Sequence, residues 1–204
     1  MIELFLKGGP IMWPILVASI VALTVALERA LFLLLESSRR NPRQVRDMIV
    51  WVERGDIPAA IQIGANSTDF VARAIVEALK YPRAFPEAML AAASVELRRF
   101  SRGLGVLDTL ITLSPLLGLL GTVTGMIGSF GMLGGAELGA PSAITGGIAE
   151  ALLATAFGLG VAITALLPFN YLNSCEDKAR LALQDAATQI ELLLRNQEPT
   201  TTNQ

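Results

Sequence analysis

The run Gly146-Gly147-Ile148-Ala149-Glu150-Ala151-Leu152-Leu153-Ala154-Thr155-Ala156-Phe157-Gly158-Leu159-Gly160 sets one acid in a long uncharged surrounding. After Glu150 come 25 residues without a charge, Ala151 to Cys175. Before it lies another uncharged run of 28 residues, Thr109 to Ala136, ended by Glu137. A hydrocarbon core about 30 Å thick is crossed by roughly 20 helical residues, so both runs are long enough to span. A carboxylate at bilayer depth is costly, and a lone one characteristically faces a bundle interior or a water path and carries protons. The rest of the chain reads as a frame around Glu150.

Composition agrees with a membrane setting. The 204 residues are 52% hydrophobic and 17% charged, with a mean hydropathy of +0.54, against roughly 25% charged residues in a soluble domain. The net charge of −2 gives no case for nucleic-acid binding through bulk electrostatics. Cys175 is the only cysteine, which excludes an internal disulfide and a Cys-rich metal site. The chain has no histidine, so His-based catalysis, His metal ligands and the usual near-neutral switch are excluded together.

Toward the N-terminus, Gly8 to Leu27 is an uncharged run of 20 residues with Trp13 near one end, where an indole suits the interface. Met1 to Lys7 carries one basic residue and the apolar run is span-length, so a retained first span over about 10–35 is expected, not a cleaved signal. Pro10 and Pro14 fall in its first turns, where proline is tolerated. Glu28 beside Arg29 at the end of the apolar run reads as an interfacial ion pair.

The stretch 36–102 is different material, with eleven Arg or Lys residues. Asn41-Pro42 sets a cap before a proline at the first helical position, and Pro86-Glu87 repeats the arrangement. Short amphipathic helices are expected over Gln44–Glu53, Ile57–Gly64 and Phe70–Lys80, separated by Gly55 and by Asn66-Ser67-Thr68. Ala88 to Arg102 is expected as a helix running straight into the second span.

That second span covers about 104–133. Ser114-Pro115 inside it predicts a kink or local opening, which membrane helices tolerate where neighbours satisfy the freed carbonyl. Gly118, Gly121, Gly125 and Gly128 follow at three- and four-residue spacing and bare one face, and Gly121 to Gly125 is a GxxxG pattern. Asp108 reads as an interfacial carboxylate. A Gly-rich link, Gly134 to Thr145, leads to the third span over about 146–172, with about four helical residues ahead of Glu150 and Pro168 near its far end. A polar amphipathic helix, 173–197, and a frayed tail from Pro199 follow.

Orientation follows from the basic residues. None lies between Arg102 and Lys178, so the Gly134–Thr145 link is expected outside, the large loop and the C-terminus in the cytoplasm, and the N-terminus outside. The expected fold is an all-α integral membrane protein with three transmembrane helices and a helical cytoplasmic domain.

On the third span Ala151, Thr155, Gly158 and Ala162 recur at i, i+4, i+7 and i+11, one stripe of a helix, with Glu150 at its edge. Thr122, Thr124 and Thr155 add hydroxyls. Threonines in such helices commonly bond their own backbone carbonyls, and that reading suits Thr124 best. Small faces require close partners, either copies of the chain or another helix. A proton path needs a second exchanging group, and the chain offers no second mid-membrane acid. The glycines of the second span precede neither a Lys-Ser/Thr pair nor a strand, so they form no phosphate loop.

The run Ser114-Pro115-Leu116-Leu117-Gly118-Leu119-Leu120-Gly121-Thr122-Val123-Thr124-Gly125-Met126, taken with the Glu150 motif, closely resembles the MotA/TolQ/ExbB proton-channel family. Glu28-Arg29, Glu96-Leu97-Arg98-Arg99 and Arg102-Gly103-Leu104 resemble it too, and the likeness covers almost the whole chain as one domain, 1–204. Three spans and short length are similar to the ExbB/TolQ branch, nearest ExbB, and unlike flagellar MotA.

The resemblance implies a homopentamer in the bacterial inner membrane around a dimer of single-span ExbD- or TolR-like partners that bring an aspartate. Proton flow would then energise a TonB- or TolA-like protein for outer-membrane uptake or envelope maintenance. It implies Glu150, Thr122 and Thr155 as the polar pathway residues. It also implies Gly118, Gly121, Gly125, Gly128, Ala151, Gly158 and Ala162 as packing or partner-facing positions. No cofactor, metal or enzymatic activity is implied, and membrane lipids are the remaining partners, with anionic headgroups near the Arg-rich loop. A non-conducting scaffold is the rival reading, and it predicts that Glu150→Gln is harmless.

Overall fold

The computed structural model describes Phe5, residues 8–131 and residues 141–197, with side chains from Thr145 onward in the last stretch. Seven α-helices carry the described chain: α1 Met12–Ser38, α2 Pro42–Glu53, α3 Ile57–Gly64, α4 Phe70–Leu79, α5 Phe85–Ser101, α6 Leu104–Gly131 and α7 Pro141–Gln197. A 3₁₀ turn, Pro82–Ala84, precedes α5. Three of these helices are long and apolar enough to cross a membrane, in α1, α6 and α7. The protein is an all-α membrane protein, as the uncharged runs require. The expected Gly134–Thr145 link lies largely outside the described residues, as do Glu137 and the tail from Pro199.

The chain forms two compact units, one of residues Met1–Ala30 with Gly103–Tyr171, the other of Leu31–Arg102 with Leu172–Gln204. In the first, α6 and α7 meet through small residues. Ala151, Ala154, Ala162 and Ala165 are all buried on α7, while Leu152, Leu159, Ile163 and Leu167 stay exposed. On α1, Met12, Ile15, Ala18 and Ala22 turn inward, and Trp13, Val17, Ile20 and Leu23 outward. An outward apolar face is what a helix presents where the surrounding solvent is lipid.

The second unit has a conventional core in which Met48, Val52, Ile75, Leu79, Phe85 and Met89 pack with Leu183 and Ile190 of α7. Its helix starts are set by side-chain caps. Asn41 accepts from the Gln44 N–H (3.2 Å) with Pro42 at the first helical position, and Asp56 accepts from Ala59 (3.0 Å). Asp69, fully buried, accepts from the N–H groups of Val71 (2.8 Å) and Asn41 (2.7 Å) and pairs with Arg40 (3.1 Å). One carboxylate therefore fixes the start of α4 and the approach to α2. Arg73 makes two bonds to Glu96 (2.9 and 2.6 Å), and Arg99 adds a third (3.0 Å). Burial alone would raise the Glu96 carboxyl, but Arg73 and then Arg99 together outweigh it and hold the group below its ordinary range. The same bond to Glu96 keeps the Arg73 guanidinium above its usual value in spite of burial.

Four expectations are corrected. The helix before the second span does not run into it. α5 ends at Ser101, Arg102 is extended (ψ 131°), and Gly103 takes φ +83° before α6 begins. A Cβ on Gly103 would sit 3.0 Å from Val25 and 3.3 Å from the Arg29 stem, so this left-handed turn also needs glycine for space. The third span and the C-terminal helix are one helix, α7, of 57 residues. No glycine interrupts it after Gly160, and Pro168 is carried inside the helix with the Thr164 carbonyl left without its usual donor. α7 also begins at Pro141, so nine helical residues precede Glu150, not about four. Finally, α5 starts at Phe85 with Pro86 second and no side-chain cap.

Candidate functional site

The contact between α6 and α7 is close because glycine faces small residues on both helices. A Cβ on Gly118 would stand 2.9 Å from the Thr155 Cα, and one on Gly158 would stand 2.5 Å from the Ser114 carbonyl oxygen. Gly121 and Gly125 face the Ala154 and Ala151 methyls, whereas Gly128 has open space around it. Five of the seven small positions named from sequence, Gly118, Gly121, Gly125, Ala151 and Gly158, thus meet within one chain. Ala162 lies on the same buried stripe.

At that seam the Thr155 hydroxyl donates to the Gly118 carbonyl at 2.9 Å, tying α7 to α6. The other threonines bond their own helix. Thr122 donates to Leu119 (2.6 Å), and Thr124 donates to Leu120 (2.9 Å), as anticipated for Thr124. Each hydroxyl oxygen keeps lone pairs that accept. Pro115 stays inside an unbroken α6, and the Ser114 hydroxyl beside it is buried with no hydrogen-bond partner among the described residues.

Glu150 is half-buried and makes no hydrogen bond or ion pair with any described residue. Its carboxylate lines a cavity of about 470 Å³. Gly121, Thr124, Gly125, Gly128 and Ser129 supply the α6 wall, Gly147 joins Glu150 on α7, and Gly8, Pro10 and Ile11 close it from the N-terminal turn. All three spans or their leading turn therefore build the site, where the sequence singled out two. Thr122 and Thr155 do not line this cavity, and Thr124 does. Ser129 was missed. It is buried and donates to the Gly125 carbonyl (2.9 Å), with its oxygen against Gly147. In sequence, Gly8 to Pro10 reads only as the head of the first uncharged run.

The chemistry available is that of a carboxyl group among hydroxyls and bare backbone, which suits exchanging a proton more than bond-making. Among the described residues no cluster of His, Cys, Asp or Glu could hold a metal ion. Glu28 and Arg29 form the expected pair (Nε–Oε2 3.3 Å), with the Arg29 side chain buried against Gly103.

Comparison with known proteins bears on the family of the chain. An ExbB-like biopolymer transport protein of Synechocystis sp., designated 1, is 38% identical over 205 residues, 96% of this chain and 79% of its own length. A second from the same organism, designated 3, is 37% identical over 197 residues, 93% of each chain. Biopolymer transport protein ExbB of Pseudomonas putida is 38% identical over 118 residues, 58% of this chain and 35% of its own. Residues 62–185 match the family described as the MotA/TolQ/ExbB proton channel family. With both long motifs, three apolar helices and relatives matching along nearly its whole length, the chain belongs to the MotA/TolQ/ExbB proton channel family.

Proposed function

We propose that this protein is the channel-forming subunit of a proton-driven motor in a bacterial inner membrane, of the ExbB kind, with its two units acting as one functional domain. The observation that carries the reading is Glu150. It is a lone acid among uncharged spans, in a cavity with Thr124 and Ser129 and with no cation among the described lining residues. Its exchanging partner is an acid brought by a single-span, ExbD-like helix pair surrounded by five copies of this chain. Thr122 and Thr155 supply further polar lining away from this cavity, where their lone pairs accept hydrogen bonds from water or the partner helix. The energy passes to a TonB-like protein. The eleven basic residues of 36–102 support a cytoplasmic position for that region and the C-terminus, with the N-terminus outside.

Complementation with Glu150→Gln, together with purification of the variant complex, tests this. Assembly with loss of proton-dependent uptake is the expected result. Full uptake with the amide would make the carboxylate structural and favour the scaffold reading. Substituting a TolA-dependent envelope assay for uptake distinguishes a TolQ-like client from a TonB-like one.

A further inference from the structure

One wall of the Glu150 cavity has no part in the reading above. Gly9 adopts φ +74°, and a Cβ built on it would fall on the Glu150 Oε1, with Cδ 2.8 Å and Cγ 3.3 Å away. The carboxylate thus rests against a bare α-carbon. The turn is itself held down: Met12 and Ile15 just after it are buried, and Ile11 packs against Gly121. Among the described residues Glu150 has no bonded partner, and this turn is in close contact with its carboxylate.

Gly9 answers two separate demands. A left-handed backbone favours glycine wherever it occurs, and Gly55 (φ +80°) is such a case, with only the Gln197 Oε1 at 4.0 Å. At Gly9 the absence of a side chain is also required by the carboxylate. Any side chain there must lift the turn or push Glu150 out of its place beside Thr124 and Ser129.

We propose that Gly9 is a positioning residue for Glu150, and that the Gly8–Pro10 turn is the closure that sets how readily the carboxylate meets protons. The functional consequence rests on Glu150 serving in the proton path, while the coupling between the two residues is measurable without it.

The test uses the full chain in membranes. Dicyclohexylcarbodiimide modifies protonated carboxyl groups in apolar surroundings, so mass spectrometry of Glu150 labelling against pH reports its protonation and access. Gly9→Ala and Gly9→Asn are expected to displace that pH profile and change the labelling rate several-fold. Asn tolerates a left-handed backbone better than Ala, so a shared effect comes from the added Cβ. Gly55→Ala is expected to lower thermal stability and leave the profile unmoved. In a Glu150→Ala background the extra thermal destabilisation of Gly9→Ala over Gly55→Ala should disappear, as a coupled pair requires. If Gly9→Ala does not accumulate, recovery of the double variant with Glu150→Ala supports the proposal, and failure of both overturns it. Unchanged labelling in Gly9→Ala and Gly9→Asn also overturns it. Coupling that persists while Glu150→Gln retains uptake leaves the positioning intact and removes the proton-path reading alone.

Discussion

The Thr155 hydroxyl reaches across 37 residues of sequence to donate to the Gly118 carbonyl at 2.9 Å. The bond is possible because Gly118 has no side chain to hold α7 away, and because Gly158, one turn further, lies against the Ser114 carbonyl. A family motif on each span is therefore one physical object, a seam in which backbone meets backbone. The seam presents Glu150 at one end, in the cavity beside Thr124 and Ser129.

Thr155→Val removes the donor and keeps the shape. The Gly118 carbonyl retains its place in the α6 ladder, so the loss is the interhelical bond alone, about 1 kcal/mol by the measured range for such bonds in membranes. Thermal unfolding in detergent should show that modest drop, with Thr155→Ser close to wild type. If the lone pairs of Thr155 also serve the proposed path, Val abolishes uptake while the complex still assembles.

Gly158→Ala tests the close approach itself. Its methyl would meet a backbone oxygen at 2.5 Å, which no side-chain rotation relieves, so α6 and α7 must separate. Overpacking of this kind costs about 2 kcal/mol. Gly105→Ala, with nothing within 4 Å, should change stability by no more than about 0.5 kcal/mol. Equal thermal stability of the two variants would show that the seam yields freely.

The spans, the basic loop, the bounds of α3 and the start of α4 were all legible, because each depends on local pattern: uncharged length, a cap, a glycine. What escaped depends on partners distant in sequence. Nothing near Gly9 announces Glu150, and nothing near Asp69 announces Asn41. The unbroken α7 escaped for a different reason. The change from apolar to polar at Asn173 looks like a boundary, yet the inward stripe simply exchanges Ala162 and Ala165 for Leu183 and Ile190 without a break in helical register. Polarity changed there and geometry did not.

Acid should weaken the second unit through Glu96. Its carboxyl is held below the ordinary range, so its contribution is fully present above the unfolded value, about pH 4.3. It is lost as pH falls through the depressed folded value. Arg73, held up, stays charged throughout and adds no slope. Glu96→Gln should cost about 2 kcal/mol near neutrality, the worth of hydrogen bonds to charged groups, and flatten the acid limb. Trp51 fluorescence during thermal unfolding, in a Trp13→Phe background, follows this unit; a variant with the wild-type pH dependence would refute the assignment.

Asp69 offers the sharpest distinction between charge and shape. Its buried carboxylate accepts from two backbone N–H groups and pairs with Arg40, with no other described acceptor at those atoms. Asp69→Ala leaves both donors without a partner and opens a polar gap, costing about 3 kcal/mol from the lost cap and the orphaned groups together. Asp69→Asn keeps one acceptor for Val71 and Arg40, which share Oδ1, but turns an amide N–H₂ toward the Asn41 N–H, donor against donor. The amide should therefore recover only part of the loss, leaving about 2 kcal/mol. Trp51 lies on α2, whose approach Asp69 fixes, so its unfolding transition reads both variants directly. An Asn variant as stable as wild type would mean that the carboxylate's second oxygen and its charge do nothing for the fold.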